Sequence, residues 1–139
     1  MARAERSRTY AVPLAALVIA LVIYSVAGSR HPNVKDVSVS EARELIDSGA
    51  VVVDVRDKSV SGSSHIHGAL LIPLEGLAAR MSEVSVDKSA PIVVYCNEGT
   101  GRGPRGTALL NEAGYTQAVN LKTGIEGWRA ANLPTAAIK

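Results

Sequence analysis

The feature that most constrains this chain is a glycine-rich segment that follows a short apolar run and contains the only cysteine. The run Ile92–Tyr95 has the β-branched composition of a buried strand, and Cys96 comes directly after it. The seven residues after Cys96 include three glycines, and Pro104 then stands where a helix can begin. The pattern predicts a strand, a turn and a helix, with Cys96 at the carboxyl end of the strand.

This placement predicts an anion-binding cradle around a nucleophilic sulfur. Backbone N–H groups in a glycine-rich turn can point inward together, and the start of a helix adds partial positive charge. Arg102 can add a full charge and a planar set of donors. Each of these favours the thiolate of Cys96, which is the nucleophilic form. The predicted substrate-binding residues are Asn97, Glu98, Gly99, Thr100, Gly101 and Arg102.

Five short motifs occur in an order that resembles a single-domain rhodanese. They are Val51–Arg56, His65–Ala69, Tyr95–Cys96 with Gly99, Glu112–Tyr115, and Leu121 with Gly124 and Trp128. The resemblance covers about residues 37–134 and implies a doubly wound parallel sheet of about five strands with flanking helices. It also implies transfer of sulfur through a persulfide of Cys96, without a cofactor. Donors would be thiosulfate or a persulfide, and acceptors a thiol, cyanide or a protein.

The loop departs from the typical sulfurtransferase spacing. Typical members have Cys-x4-Arg, whereas here Arg102 lies one position later, as Cys-x5-Arg. This spacing resembles the rhodanese-fold dual-specificity phosphatases and some arsenate reductases, whose wider loop accommodates a tetrahedral oxyanion. However, Tyr95 stands where the phosphatase motif has His, and Glu98 is the only acid in the loop. Three functions therefore stay open: a sulfurtransferase, a phosphatase or arsenate reductase that uses Cys96 and Arg102, and a non-catalytic module that binds an anion or a partner protein.

Two residues near the end of an earlier strand are predicted to support the site. Asp54 lies near the end of the nearly all-apolar run Ala50–Val55, and Arg56 follows that run. The carboxyl ends of parallel strands meet at one edge of a sheet. Asp54 can orient Arg56 or the loop amides. His65 and His67 are two residues apart and point to opposite faces if extended, so no metal site is predicted.

The first thirty residues predict a membrane segment. Residues 11–27 carry no formal charge, and arginines precede them, which favours a cytoplasmic amino terminus. The domain that follows would then lie outside the cytoplasm. The longer-than-usual apolar run favours a single-pass anchor, while a signal peptide cleaved after Ala27 is the alternative and would make the protein secreted.

The remaining organisation follows from composition and local patterns. We expect a membrane segment at 1–29, a linker at 30–36, the main domain at 37–134 and a flexible tail at 135–139. A helix is expected over Glu75–Met81, and none over the serine-rich segment Asp57–Ser64. The net charge of +2 comes entirely from the first eight residues. The charge-balanced domain therefore shows no footprint for nucleic acid.

Overall fold

A computed structural model describes Ala15, His31 and residues 33–138 of the chain. In this part of the chain the strands are β1 Asp36–Val37, β2 Val51–Asp54, β3 His65–Ile66, β4 Leu70–Leu71, β5 Ile92–Tyr95, β6 Ala118–Leu121 and β7 Thr135–Ala136. The helices are α1 Val39–Asp47, α2 Lys58–Ser61, α3 Leu74–Leu77, α4 Met81–Val84, α5 Arg102–Glu112 and α6 Gly124–Ala130, with a 3₁₀ turn at Ala78–Arg80 between α3 and α4.

The main sheet has five parallel strands in the order β1-β6-β5-β2-β4. Strand β5, which leads to Cys96, therefore lies in the centre, between β6 and β2. Its four residues are all buried, as the β-branched run predicts for a strand covered on both faces. The expected parallel sheet of five strands with flanking helices is confirmed.

Side chains that alternate along the strands divide the core into two layers. On one face Val53, Ile92 and Val94 pack with residues of α3, α4 and α5. On the other face Val52 and Val93 pack with residues of α1 and α6, among them the buried Trp128. Helices cover both faces, so the sheet is doubly wound and its site-bearing edge is the row of carboxyl strand ends.

The structure differs from the sequence expectations in three connecting segments. Within the serine-rich segment, Lys58–Ser61 form the short helix α2. The expected helix Glu75–Met81 is divided into α3 and α4, because a tighter 3₁₀ turn separates them. The expected flexible tail contains β7, whose Thr135–Ala136 pair antiparallel with β3. The backbone groups of these two residues thereby find partners that the sequence pattern alone did not indicate.

The predicted membrane segment, residues 11–27, lies outside the described residues except for Ala15. Among the residues that the structure describes, no helix has the length and apolar character needed to cross a bilayer.

Candidate functional site

Cys96 follows β5 directly and lies at the start of α5. It is almost fully buried, with 5% of its surface exposed. Its Sγ would be 3.3 Å from a β-carbon added to Gly103, in the first turn of α5. The absence of a side chain at Gly103 therefore lets the sulfur approach the positive end of an eleven-residue helix. This arrangement is the strand, turn and helix that the sequence predicts.

The backbone N–H groups of the loop are available to a ligand. Among the hydrogen bonds of the described residues, none is donated by a backbone N–H of residues 97 to 103. Gly101 precedes α5 and provides no side-chain cap, so the first N–H groups of the helix are also unpaired. A run of unpaired donors beside a sulfur can hold a negative charge that develops there.

The carbonyl groups of the loop are held by the first turn of α6. The N–H groups of Ile125 and Glu126 donate to the carbonyl oxygens of Cys96 and Asn97, at 2.9 and 3.1 Å. Gly99 has a φ of +77°, and a β-carbon there would overlap the carbonyl of Lys122. The loop carbonyls are thus used for fastening, which leaves the N–H groups on the other side for a ligand.

Asn120 is a site residue that the sequence analysis missed. It is fully buried on β6, and its Nδ2 donates to the carbonyl of Gly99 at 2.9 Å and to Oδ1 of Asp36 at 2.7 Å. Its own Oδ1 has no hydrogen-bond partner and faces Gly103, near the sulfur of Cys96. An amide inside an otherwise apolar strand was the available signal, because a buried polar side chain needs partners.

Asp54 and Arg56 form a buried ion pair below the loop. Arg56 donates to Oδ2 of Asp54 from Nη2 at 2.7 Å, and both side chains are almost completely buried. Arg56 also donates from Nη1 to Oδ1 of Asn97 at 3.2 Å, and from Nη2 to the carbonyl of Ser64. The expected supporting residues thus contact the loop through Asn97.

Tyr95 connects this ion pair to strand β3. Its hydroxyl donates to Oδ2 of Asp54 at 2.8 Å and accepts from the N–H of Ile66 at 2.9 Å. Burial, and then the negative charge of Asp54, raise the pKa of Tyr95, so the phenol stays protonated. Burial opposes the charged form of Arg56, but the hydrogen bonds and charge of Asp54 outweigh it and raise the pKa of Arg56.

A cavity of about 260 Å³ opens above Cys96. Its lining contains the expected loop residues Asn97, Glu98, Thr100, Gly101 and Arg102, together with Arg56, Asp57 and Val60. The structure therefore brings Cys96 and most of the predicted binding residues together around one opening. Gly99 does not line the cavity, because it lies on the fastened side of the loop.

Arg102 is engaged with carboxylates that the sequence analysis did not assign to the site. Its Nη1 donates to both carboxylate oxygens of Glu75, at 2.8 and 2.9 Å, and its Nη2 lies 3.4 Å from Asp57. The pKa of Glu75 is lowered, first by its own backbone N–H and then by Arg102. No local signal marks Glu75, because it precedes Arg102 by 27 residues and stands in an ordinary first helical turn.

The chain is similar to one protein family and to several known proteins and solved structures. The model of the rhodanese-like domain matches residues 38–131. An uncharacterised Escherichia coli protein, YibN, is 34% identical over 122 residues, which cover 86% of this chain and 83% of YibN. A protein named sulfurtransferase from Allochromatium vinosum is 34% identical over 72% of this chain and 92% of its own length.

Two further comparisons agree with this match. The thiosulfate sulfurtransferase GlpE of Haemophilus influenzae is 31% identical, over 72% of this chain and 92% of GlpE. The crystal structure of the Alr3790 protein from Anabaena has a TM-score of 0.66 and 32% identity, and covers 73% of this chain and 92% of that chain. Because the family model spans most of the described domain and includes Cys96 and its loop, the chain belongs to the family of rhodanese-like domains.

Proposed function

We propose that this protein is a sulfurtransferase that carries sulfur as a persulfide on Cys96. The observation that carries the proposal is the position of the only cysteine, at the base of a cavity and beneath a run of unpaired backbone N–H groups. A thiolate in such a place is nucleophilic. The neighbouring N–H groups can stabilise the negative charge on sulfur throughout the transfer. Relatives named sulfurtransferase and thiosulfate sulfurtransferase support the same reaction class.

The transfer would proceed by two displacements at sulfur. The Cys96 thiolate attacks the outer sulfur of thiosulfate or of a persulfide, and the donor's S–S bond breaks. Sulfite or a thiolate leaves with the electron pair, and Cys96 carries the new S–S bond. The loop N–H groups stabilise the negative terminal sulfur. A thiol, cyanide or protein acceptor then takes that sulfur, and the Cys96 thiolate is regenerated.

The longer loop keeps phosphate-ester hydrolysis or arsenate reduction as the second candidate. The observation that favours it is the Cys-x5-Arg spacing. A tetrahedral dianion needs a cation that faces it, and Arg102 pairs with Glu75 and Asp57 instead. Arg56 is paired with Asp54. With both cations so engaged, we favour sulfur transfer, because a persulfide donor is not a dianion and needs no such cation.

Mass spectrometry of the purified protein after treatment with a sulfur donor tests the proposal. We expect one added sulfur on Cys96 after thiosulfate or a small persulfide, and its loss on addition of cyanide with release of thiocyanate. Cys96→Ser should show neither change while its circular dichroism spectrum stays that of the wild type. Turnover that survives in Cys96→Ser, or hydrolysis of an aryl phosphate by a protein that never takes up sulfur, would refute the assignment.

The location of the reaction is part of the proposal. An apolar anchor at residues 11–27 with arginines before it would keep the domain on the extracytoplasmic side of a membrane. Fractionation of cells that express the full chain, followed by protease treatment of intact spheroplasts, tests this placement. Protection of the domain from protease would contradict it.

A further inference from the structure

The charges at the opening of the cavity restrict which donor can enter. Four charged residues line the cavity: Arg56, Asp57, Glu98 and Arg102. Asp54 and Glu75 add their carboxylates through ion pairs with the two arginines. Carboxylates therefore outnumber arginines by four to two. Arg105, in the next turn of α5, also attracts Glu75. If Arg105 is counted as well, the carboxylates still outnumber the arginines, by four to three.

Arg102 is the only one of the two lining arginines that could turn toward a donor. Arg56 is 3% exposed and is fixed by Asp54, Asn97 and the carbonyl of Ser64. Arg102, which lines the cavity, is about one third exposed and pairs with both Glu75 and Asp57. We call these two ion pairs the Arg102 bridge. An incoming dianion must compete with two carboxylates for Arg102 and also meets the charge of Glu98.

We propose that Glu75 and Asp57 set the donor specificity of the site by holding Arg102 in this bridge, so that the site prefers a sulfane-sulfur donor with at most one negative charge. The inference rests on the sulfurtransferase function proposed above. A hydropersulfide meets this description, whereas thiosulfate is a dianion.

In the proposed step, the Cys96 thiolate attacks the outer sulfur of the hydropersulfide R–S–SH. The bond between the two donor sulfurs breaks, and the thiolate R–S⁻ leaves with the electron pair. The proton stays on the transferred sulfur, or passes to the leaving thiolate once the product separates. The number of thiol-level and persulfide-level sulfurs is unchanged, so no oxidant or reductant is needed.

The ion pairs of the Arg102 bridge are exposed to solvent, so a single substitution can break them at small cost. Exposed ion pairs are weak, each equivalent to a factor of about five or less. Direct repulsion between one carboxylate and a nearby dianion adds a similar factor at low salt, and salt screens it. Removing one carboxylate should therefore raise kcat/KM for a dianionic donor by about threefold to twentyfold.

Thiosulfate and methanethiosulfonate form a matched pair of probes. The second replaces one anionic oxygen by a methyl group, so it is a monoanion of nearly the same shape and transfers the same sulfane sulfur. Their intrinsic reactivities differ, so each donor is compared across variants of the full chain. We expect Glu75→Gln and Asp57→Asn to raise kcat/KM for thiosulfate by the factor above, with less than about a twofold change for methanethiosulfonate.

Glu83→Gln is the matched control variant. It removes a carboxylate from another exposed arginine pair, with Arg80, whose members do not line the cavity. Glu83→Gln should leave kcat/KM unchanged for both donors. In an Arg102→Gln background the effect of Glu75→Gln should shrink, because no bridge is left to release. The full effect in that background would show that Glu75 acts by repulsion alone, which would overturn the proposal.

A second readout keeps this proposal separate from the proposed function. Iodoacetate and iodoacetamide alkylate a cysteine thiolate, and they differ by one negative charge. The ratio of their rates at Cys96 should rise in favour of iodoacetate in Glu75→Gln and Asp57→Asn, and should stay constant in Glu83→Gln. If neither sulfur donor loads Cys96, the sulfurtransferase function fails and this ratio still decides whether the bridge repels anions. Equal changes for charged and neutral probes, or no change in either pair, would overturn the inference.

Discussion

Removal of the Tyr95 hydroxyl should destabilise the domain out of proportion to the single atom lost. In Tyr95→Phe, the buried N–H of Ile66 loses its acceptor and the carboxylate of Asp54 loses one of its donors. An unsatisfied buried donor costs about 1–3 kcal/mol. Asp54 keeps its donors from Arg56, so its share is smaller, at about 1 kcal/mol. We expect the free energy of unfolding to fall by about 2–4 kcal/mol.

Tyr115→Phe provides a matched control within the same domain. The hydroxyl of the buried Tyr115 donates to the carbonyl of Met81 or Ser85, both within 2.9 Å, and both of these acceptor residues are partly exposed. Water can replace this donor at those carbonyls, so the loss should be about 0.5–1.5 kcal/mol. Urea unfolding, followed by the fluorescence of Trp128, the only tryptophan, measures both variants at neutral pH. Equal losses in the two variants, at an unchanged slope, would refute the account of the Tyr95 network.

The dependence of the free energy of unfolding on pH above neutrality provides a second test of the contact between Tyr95 and Asp54. The pKa of Tyr95 is raised in the folded state by burial and by Asp54. A group whose folded pKa is raised contributes its full stability below the unfolded pKa, which is about 10 for tyrosine. That contribution is lost as the pH rises further, because the unfolded chain can release the proton and the folded one cannot. Tyr95→Phe should therefore lose less stability than the wild type above about pH 10.

Two substitutions test the fastening of the loop. Gly99→Ala should reduce persulfide formation on Cys96 by at least about tenfold, because positive φ and the carbonyl of Lys122 both exclude a side chain there. Gly49→Ala, also at a positive φ but with open space and away from the cavity, is its control and should change the rate less than about twofold. Asn120→Leu should lower the free energy of unfolding by about 1–3 kcal/mol and slow sulfur uptake, since the carbonyl of Gly99 loses its donor. Uptake of sulfur at the wild-type rate would show that the loop does not depend on Asn120.

The sequence pattern was sufficient for the parts of the site that are local in the chain. A buried strand, a glycine-rich turn and a helix start lie within twenty residues, so the position of Cys96 could be predicted from spacing and turn chemistry alone. Asp54 could be assigned to the same edge because parallel strands share their carboxyl ends. The parallel sheet followed from the alternation of strands and helices, and its five strands followed from the resemblance to the rhodanese family.

The sequence pattern was insufficient where a side chain finds its partner far along the chain. Tyr95 and Asp54 are 41 residues apart, and Asn120 and Gly99 are 21 apart. Both contacts involve a polar side chain in a buried strand. Such a side chain must have a hydrogen-bond partner, but the sequence pattern does not show which residue that partner is. The same limit applies to β7, since a strand of two residues has too short a pattern to be recognised.

The geometry and the charge of this site rest on separate parts of the structure. Buried groups set the geometry: Asp54, Tyr95 and Asn120 are all fully buried, and loosening any of them costs folding free energy. Exposed groups set the charge, because Glu75 and Asp57 keep more than half of their side-chain surface in solvent. Substitutions at the exposed carboxylates should therefore change which donor is accepted while stability stays within about 0.5 kcal/mol. A loss of several kcal/mol in Glu75→Gln would show that the two parts are coupled.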